Sequence, residues 1–129
     1  MSTVVERLSR GARVAIVRLR SLGDCVLTTP AIGLLKKARP DLELAVVVED
    51  AFTAIFTGNP DVERILSPRA AEIYKWRPQL TLNLHGGARS ARLTLAARSS
   101  VRAGFSHFRM QPIYIVRIPS AQEILVVER

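Results

Sequence analysis

The chain has 129 residues, 48% of them hydrophobic and only 5% aromatic, with 19 Lys and Arg against 11 Asp and Glu for a formal charge of +8. That is about one domain of chain with apolar content sufficient for a core, which excludes global disorder. A single cysteine, Cys25, excludes an internal disulfide and a cysteine zinc cluster.

Residues 13–18, RVAIVR, form a short β-branched run that predicts a buried strand. From Asp24 onward Val26, Leu27, Ile32, Leu34 and Leu35 recur at helical spacing, with Lys36 and Lys37 in the last turn and Pro40 as the stop. Residues 42–48, LELAVVV, predict a second buried strand, which completes a strand–helix–strand unit. A short helix over 51–56, a strand over 62–66, a helical turn over 70–76 and a strand over 79–84 continue the alternation. A loop at 85–87 opens into a helix to residue 98, followed by extended runs at 101–105 and 113–118 and a helix from Ala121. This predicts an α/β fold: a Rossmann-like open, mostly parallel sheet with helices on both faces. The last helical pattern reaches Arg129 with no stop signal, and the expectation is a chain cut inside a longer protein. No apolar run approaches the roughly 18 residues of a spanning helix. The opening MSTVVERLSR lacks a signal-peptide core, so the expected place is the cytoplasm.

Ligands of open α/β sheets bind beyond the carboxyl ends of the strands. The first such loop, Leu19 to Thr29, holds Ser21, Gly23 and Asp24. Gly23 permits a sharp turn or a close ligand approach. Asp24 is either the cap of the following helix or a carboxylate pointing into the crevice as a general base. A G-x-G-x-x-G or G-x-x-x-x-G-K-[ST] loop is absent, which disfavours nicotinamide, flavin and P-loop chemistry. The second loop holds His85, Gly86 and Gly87. Arg89 and Arg92 follow in the first helical turns, where cations oppose the helix dipole and point either to an anion nearby or to solvent. The third, around 104–112, holds Ser106, His107 and Arg109, with Arg109 read as an anion clamp. No G-x-S-x-G elbow is present. Cys25 reads as a small buried hydrophobe.

The stretch VAIVRLRSLGDCVLTTPAIGLLKKARPDLELAVVVED resembles the start of the lipopolysaccharide-core heptosyltransferases of glycosyltransferase family 9, whose first loop has the form S-x-G-D. The segment NLHGGARSAR resembles that family's D-L-H-G-x-x-R-S, with Asn83 where Asp is usual, and VRAGF resembles its R-x-G-F strand. The resemblance implies residues 12–129 as the acceptor-binding lobe of a GT-B glycosyltransferase, after an N-terminal extension over 1–11. It implies an inverting reaction with no metal or other cofactor. The nucleotide-sugar donor, ADP-heptose, would bind a second lobe, without which this chain would be inactive. Asp24 matches the general base, and Ser21, Gly23, His85, Gly86, Arg89 and Arg109 fall on the acceptor side. Expected partners are an acidic glycolipid acceptor, the inner-membrane surface and a second copy through an exposed inter-lobe face. Nucleic acid is not expected, because no recognition motif accompanies the charge. The competing reading is a stand-alone, non-catalytic module binding anionic ligands or nucleic acid.

Overall fold

The computed structural model describes residues 4–85, 87–105 and 116–118. In chain order the elements are α1 (Val4–Arg7), β1 (Arg13–Val17), α2 (Leu22–Ala38), β2 (Glu43–Val47), a 3₁₀ segment (Asp50–Ile55) and β3 (Arg64–Leu66). There follow α3 (Ala70–Trp76), β4 (Leu80–Asn83), α4 (Ala88–Ala96), β5 (Val101–Phe105) and β6 (Val116–Ile118). The six strands form one sheet in the order β3-β2-β1-β4-β5-β6, and every pairing is parallel. The order reverses between β1 and β4. This is the doubly wound arrangement in which ligands occupy the crevice at the reversal point.

Both faces of the sheet are covered, and the period-2 geometry of strands sorts the residues. Val14 and Ile16 of β1, with Leu44 and Val46 of β2, face Cys25, Ile32 and Leu35 of α2. Ala15 and Val17, with Ala45 and Val47, face Ile73 and Trp76 of α3 and Leu93 and Ala97 at the end of α4. Two-sided burial is why these strands read as unbroken apolar runs rather than alternating ones. The N-terminal segment packs into the first of these cores through Leu8, and the Gly11 N–H donates to Asp41 Oδ2 at 2.9 Å.

Two expected helices are corrected. The helix expected from Asp24 starts at Leu22, because Ser21 turns the chain with φ 81° and ψ 120°. Asp24 is therefore the third residue of the first turn and not its cap, and the sharp turn lies at Ser21, not Gly23. The helix expected over 51–56 is a 3₁₀ segment, a form tolerated in short runs. The expected helix from Ala121 lies outside the described residues.

Candidate functional site

The carboxyl ends of β2, β1 and β4 meet at the reversal point, and Arg18 ties them together. Its backbone N–H donates to the Val47 carbonyl at 3.0 Å, and Leu84 N–H donates to the Val17 carbonyl at 3.0 Å. The Arg18 guanidinium donates through Nη1 to the Leu84 carbonyl. Its Nη2 lies 3.1 Å from Asp24 Oδ1, with the Arg18 side chain mostly buried and Asp24 51% exposed. One arginine fork thus joins β4 to the first turn of α2 and anchors one oxygen of Asp24. The Arg18 Nε is buried without a hydrogen-bond partner among the described residues, as is Trp76 Nε1 on the other face of the sheet.

Ser21 and Gly23 frame this carboxylate. Ser21 holds a left-handed φ that a non-glycine residue adopts at a cost, a kind of strain that gathers at functional sites. Its side chain makes no capping bond, while its carbonyl accepts the Cys25 N–H at 2.9 Å. Gly23 is helical, and a Cβ added there would meet nothing within 4 Å. The space beside Gly23 is open. Cys25 is buried beneath the turn, and burial pushes its thiol up from the ordinary range, which leaves it protonated and inert.

His85 follows β4 on the same edge, partly buried, with its N–H donating to Asn83 Oδ1 at 2.9 Å. Burial lowers its pKa, and the cations Arg18 and Arg20 lower it further, against opposing pulls from Asp24 and Glu49. The imidazole is thus neutral at pH 7, and its electrostatic neighbours are the charged groups of the Asp24 crevice. Asn83 is fully buried, and its Nδ2 donates to Ser90 Oγ at 3.1 Å, so it locks the loop between β4 and α4. Arg89 meets a carboxylate of this chain: its Nη1 lies 2.7 Å from Glu49 Oε2. Arg92 is exposed.

Ser21, Gly23, Asp24, His85 and Arg89 thus stand along one edge of the sheet. Gly86 and Arg109, with Ser106 and His107, lie outside the described residues. Reading the sequence missed Arg18 and Glu49. Arg18 directly follows β1 and Glu49 lies two residues past the end of β2, at the edge where a doubly wound sheet binds ligands, and that position was the available signal.

No protein-family profile matches the chain. The lipopolysaccharide heptosyltransferase 1 of Pseudomonas aeruginosa is 35% identical over 75 residues, 58% of this chain and 20% of that protein. A glycosyl transferase family 9 structure from Veillonella parvula superposes with a TM-score of 0.77 at 19% identity, covering 92% of this chain and 41% of that one. E. coli heptosyltransferase WaaC with ADP-2-deoxy-2-fluoro heptose gives 0.70 at 24% identity, covering 91% and 46%. E. coli ADP-heptose lps heptosyltransferase II gives 0.75 at 14% identity, covering 91% and 40%. The chain spans about a fifth of the curated relative and about two fifths to a half of each structure. The solved structures establish the fold, a Rossmann-like unit of the kind these glycosyltransferases contain.

Proposed function

We propose that this chain forms the acceptor-side half of an inverting heptosyltransferase-like enzyme, with Asp24 as general base. The observation that carries the proposal is Asp24 itself. It is a half-exposed carboxylate at the strand-order reversal, held on one oxygen by the mostly buried Arg18 and open to approach past Gly23. A hydroxyl of an acidic glycolipid acceptor donates to the free oxygen of Asp24. Asp24 takes its proton as the acceptor oxygen attacks the anomeric carbon of the donor sugar. The bond from that carbon to the nucleotide diphosphate breaks with its electrons on the phosphate, and the anomeric configuration inverts. Proton, sugar and leaving group balance without a further reactant.

Arg89, with Glu49 already beside it, and Arg109 are assigned to acceptor anions, and neutral His85 to a hydrogen bond with the acceptor. The donor, ADP-heptose in the first instance, binds a second lobe. The +8 charge suits an anionic acceptor presented at the inner-membrane surface. Among the described residues no helix is long and apolar enough to cross a membrane, and the proposed contact is peripheral, from the cytoplasmic side.

The test is transfer from ADP-heptose to a Kdo-bearing lipid acceptor by the protein as encoded, with the product anomer read by NMR. Transfer with inversion is expected. Absence of transfer from ADP-heptose to every Kdo-lipid acceptor tried rejects the heptosyl assignment.

A further inference from the structure

The outward face of α2 is apolar from Leu22 to Leu34. Four large aliphatic side chains lie on it: Leu22 is 64% exposed, Val26 49%, Leu27 72% and Leu34 41%. Pro30 continues the same ridge, and Lys37 is the only charged residue on it. At 100° per residue these positions fall in one arc opposite the buried Cys25, Thr28, Ile32 and Leu35. Asp24 lies on the flank between the two arcs. The solvent face of a helix in a globular protein ordinarily carries polar and charged side chains. A contiguous apolar face of this kind marks an interaction surface.

The shape of the face bears on what covers it. Helix α2 starts at the carboxyl edge of the sheet, beside the crevice, and runs back along the flank. The ridge from Leu22 to Leu34 is about 18 Å long at 1.5 Å per residue. A flat surface lying against the helix covers both ends. Charge points the same way. The face holds no carboxylate, exposed Arg20 precedes it and exposed Lys37 ends it, on a chain of net +8. Apolar side chains bounded by cations are the composition of a helix lying in an anionic lipid interface.

We propose that the outward face of α2 docks the protein on an anionic lipid bilayer. In that pose the first turn of α2, and Asp24 with it, stands at the lipid surface, where a membrane-anchored acceptor presents its sugar. The inference rests on the transferase reading for the acceptor's identity, while the docking itself is measurable without any donor.

The experiment compares the protein as encoded with a Leu27→Glu/Leu34→Glu variant and a milder Leu27→Gln/Leu34→Gln variant. Each is checked for folding by thermal melt. Co-sedimentation is measured with phosphatidylglycerol-containing vesicles and with purely zwitterionic ones. The wild type is expected to bind the anionic vesicles and to lose binding as salt rises. The Glu pair is expected to lower binding at least tenfold and the Gln pair less, with transfer to an acyl-free, water-soluble acceptor unchanged. Wild type that ignores anionic vesicles, or variants that bind as wild type does, overturns the inference. So does a concentration-dependent dimer that the same substitutions dissolve without vesicle binding, which assigns the face to a second copy. Vesicle binding that follows the variants while no acceptor is ever glycosylated overturns the transferase reading and leaves the docking standing.

Discussion

Arg18 and Asp24 illustrate how much of the site a single residue type discloses. Asp24 was legible as an acid after a buried strand, but its partner was not, because Arg18 reads as one more arginine on a basic chain. Only the packing of β1 between β2 and β4 directs its guanidinium to the Leu84 carbonyl and the Asp24 carboxylate together. Arg18→Ala is expected to free Asp24 and lower transfer by one to two orders of magnitude, and Arg18→Lys, which lacks the planar fork, is expected to recover only part. Turnover numbers for the three proteins decide this. Gly23 separates fold from function. Since it is helical with open space around it, Gly23→Ala should raise stability by about 0.5–1 kcal/mol in urea unfolding. If the acceptor passes beside Gly23, KM for the acceptor rises in the same variant. His85 carries a pH signature. Its folded pKa lies below the ordinary value of 6.5, so below pH 6.5 the unfolded chain takes a proton that the folded chain refuses. Stability should therefore fall between pH 7.5 and 5.5. His85→Gln should flatten that fall, as urea midpoints at the two pH values will show.

At the scale of elements, the strands were the most legible, because β1, β2 and β4 are buried on both faces and had no reason to hide their apolar runs. The start of α2 was not. The signal sought was a capping side chain, and the chain uses instead a left-handed Ser21 with no side-chain cap. Pro30 inside α2 removes the N–H that would meet the Val26 carbonyl, and the Thr29 hydroxyl donates to that carbonyl at 2.8 Å instead. The helix thus runs through a proline that sequence rules treat as a boundary. The β4–α4 connection is held by a similar substitution of side chain for backbone. Ser90 Oγ receives the Asn83 amide and donates to the Gly87 carbonyl at 3.2 Å. Ser90→Ala is expected to cost about 1–3 kcal/mol, the penalty for disturbing a buried polar pair, read as a lowered urea midpoint. Asn83, which stands where the resembled family has Asp, thus has a structural task here that needs its amide donor.

For the whole molecule, the doubly wound topology follows from the alternation of buried strands and helices, which sequence reading recovered in order from β1 to β5 while missing the short α1. The strand order, and with it the reversal between β1 and β4, comes from which apolar faces pair and is written in no local motif. That reversal gathers Arg18, Asp24, His85 and the Arg89–Glu49 pair from three separate connections onto one edge. The positive charge, ambiguous between nucleic acid, membrane and acidic glycolipid when only counted, gains meaning from that edge and from the apolar face of α2 beside it. The central claim is that Asp24 takes the acceptor proton. It is tested most directly by steady-state transfer with Asp24→Asn in the protein as encoded, since Asn keeps the size and a hydrogen-bonding oxygen but accepts no proton. A loss of about 10²–10⁴ in kcat with acceptor KM little changed is the predicted result. Activity within about tenfold of wild type would contradict it.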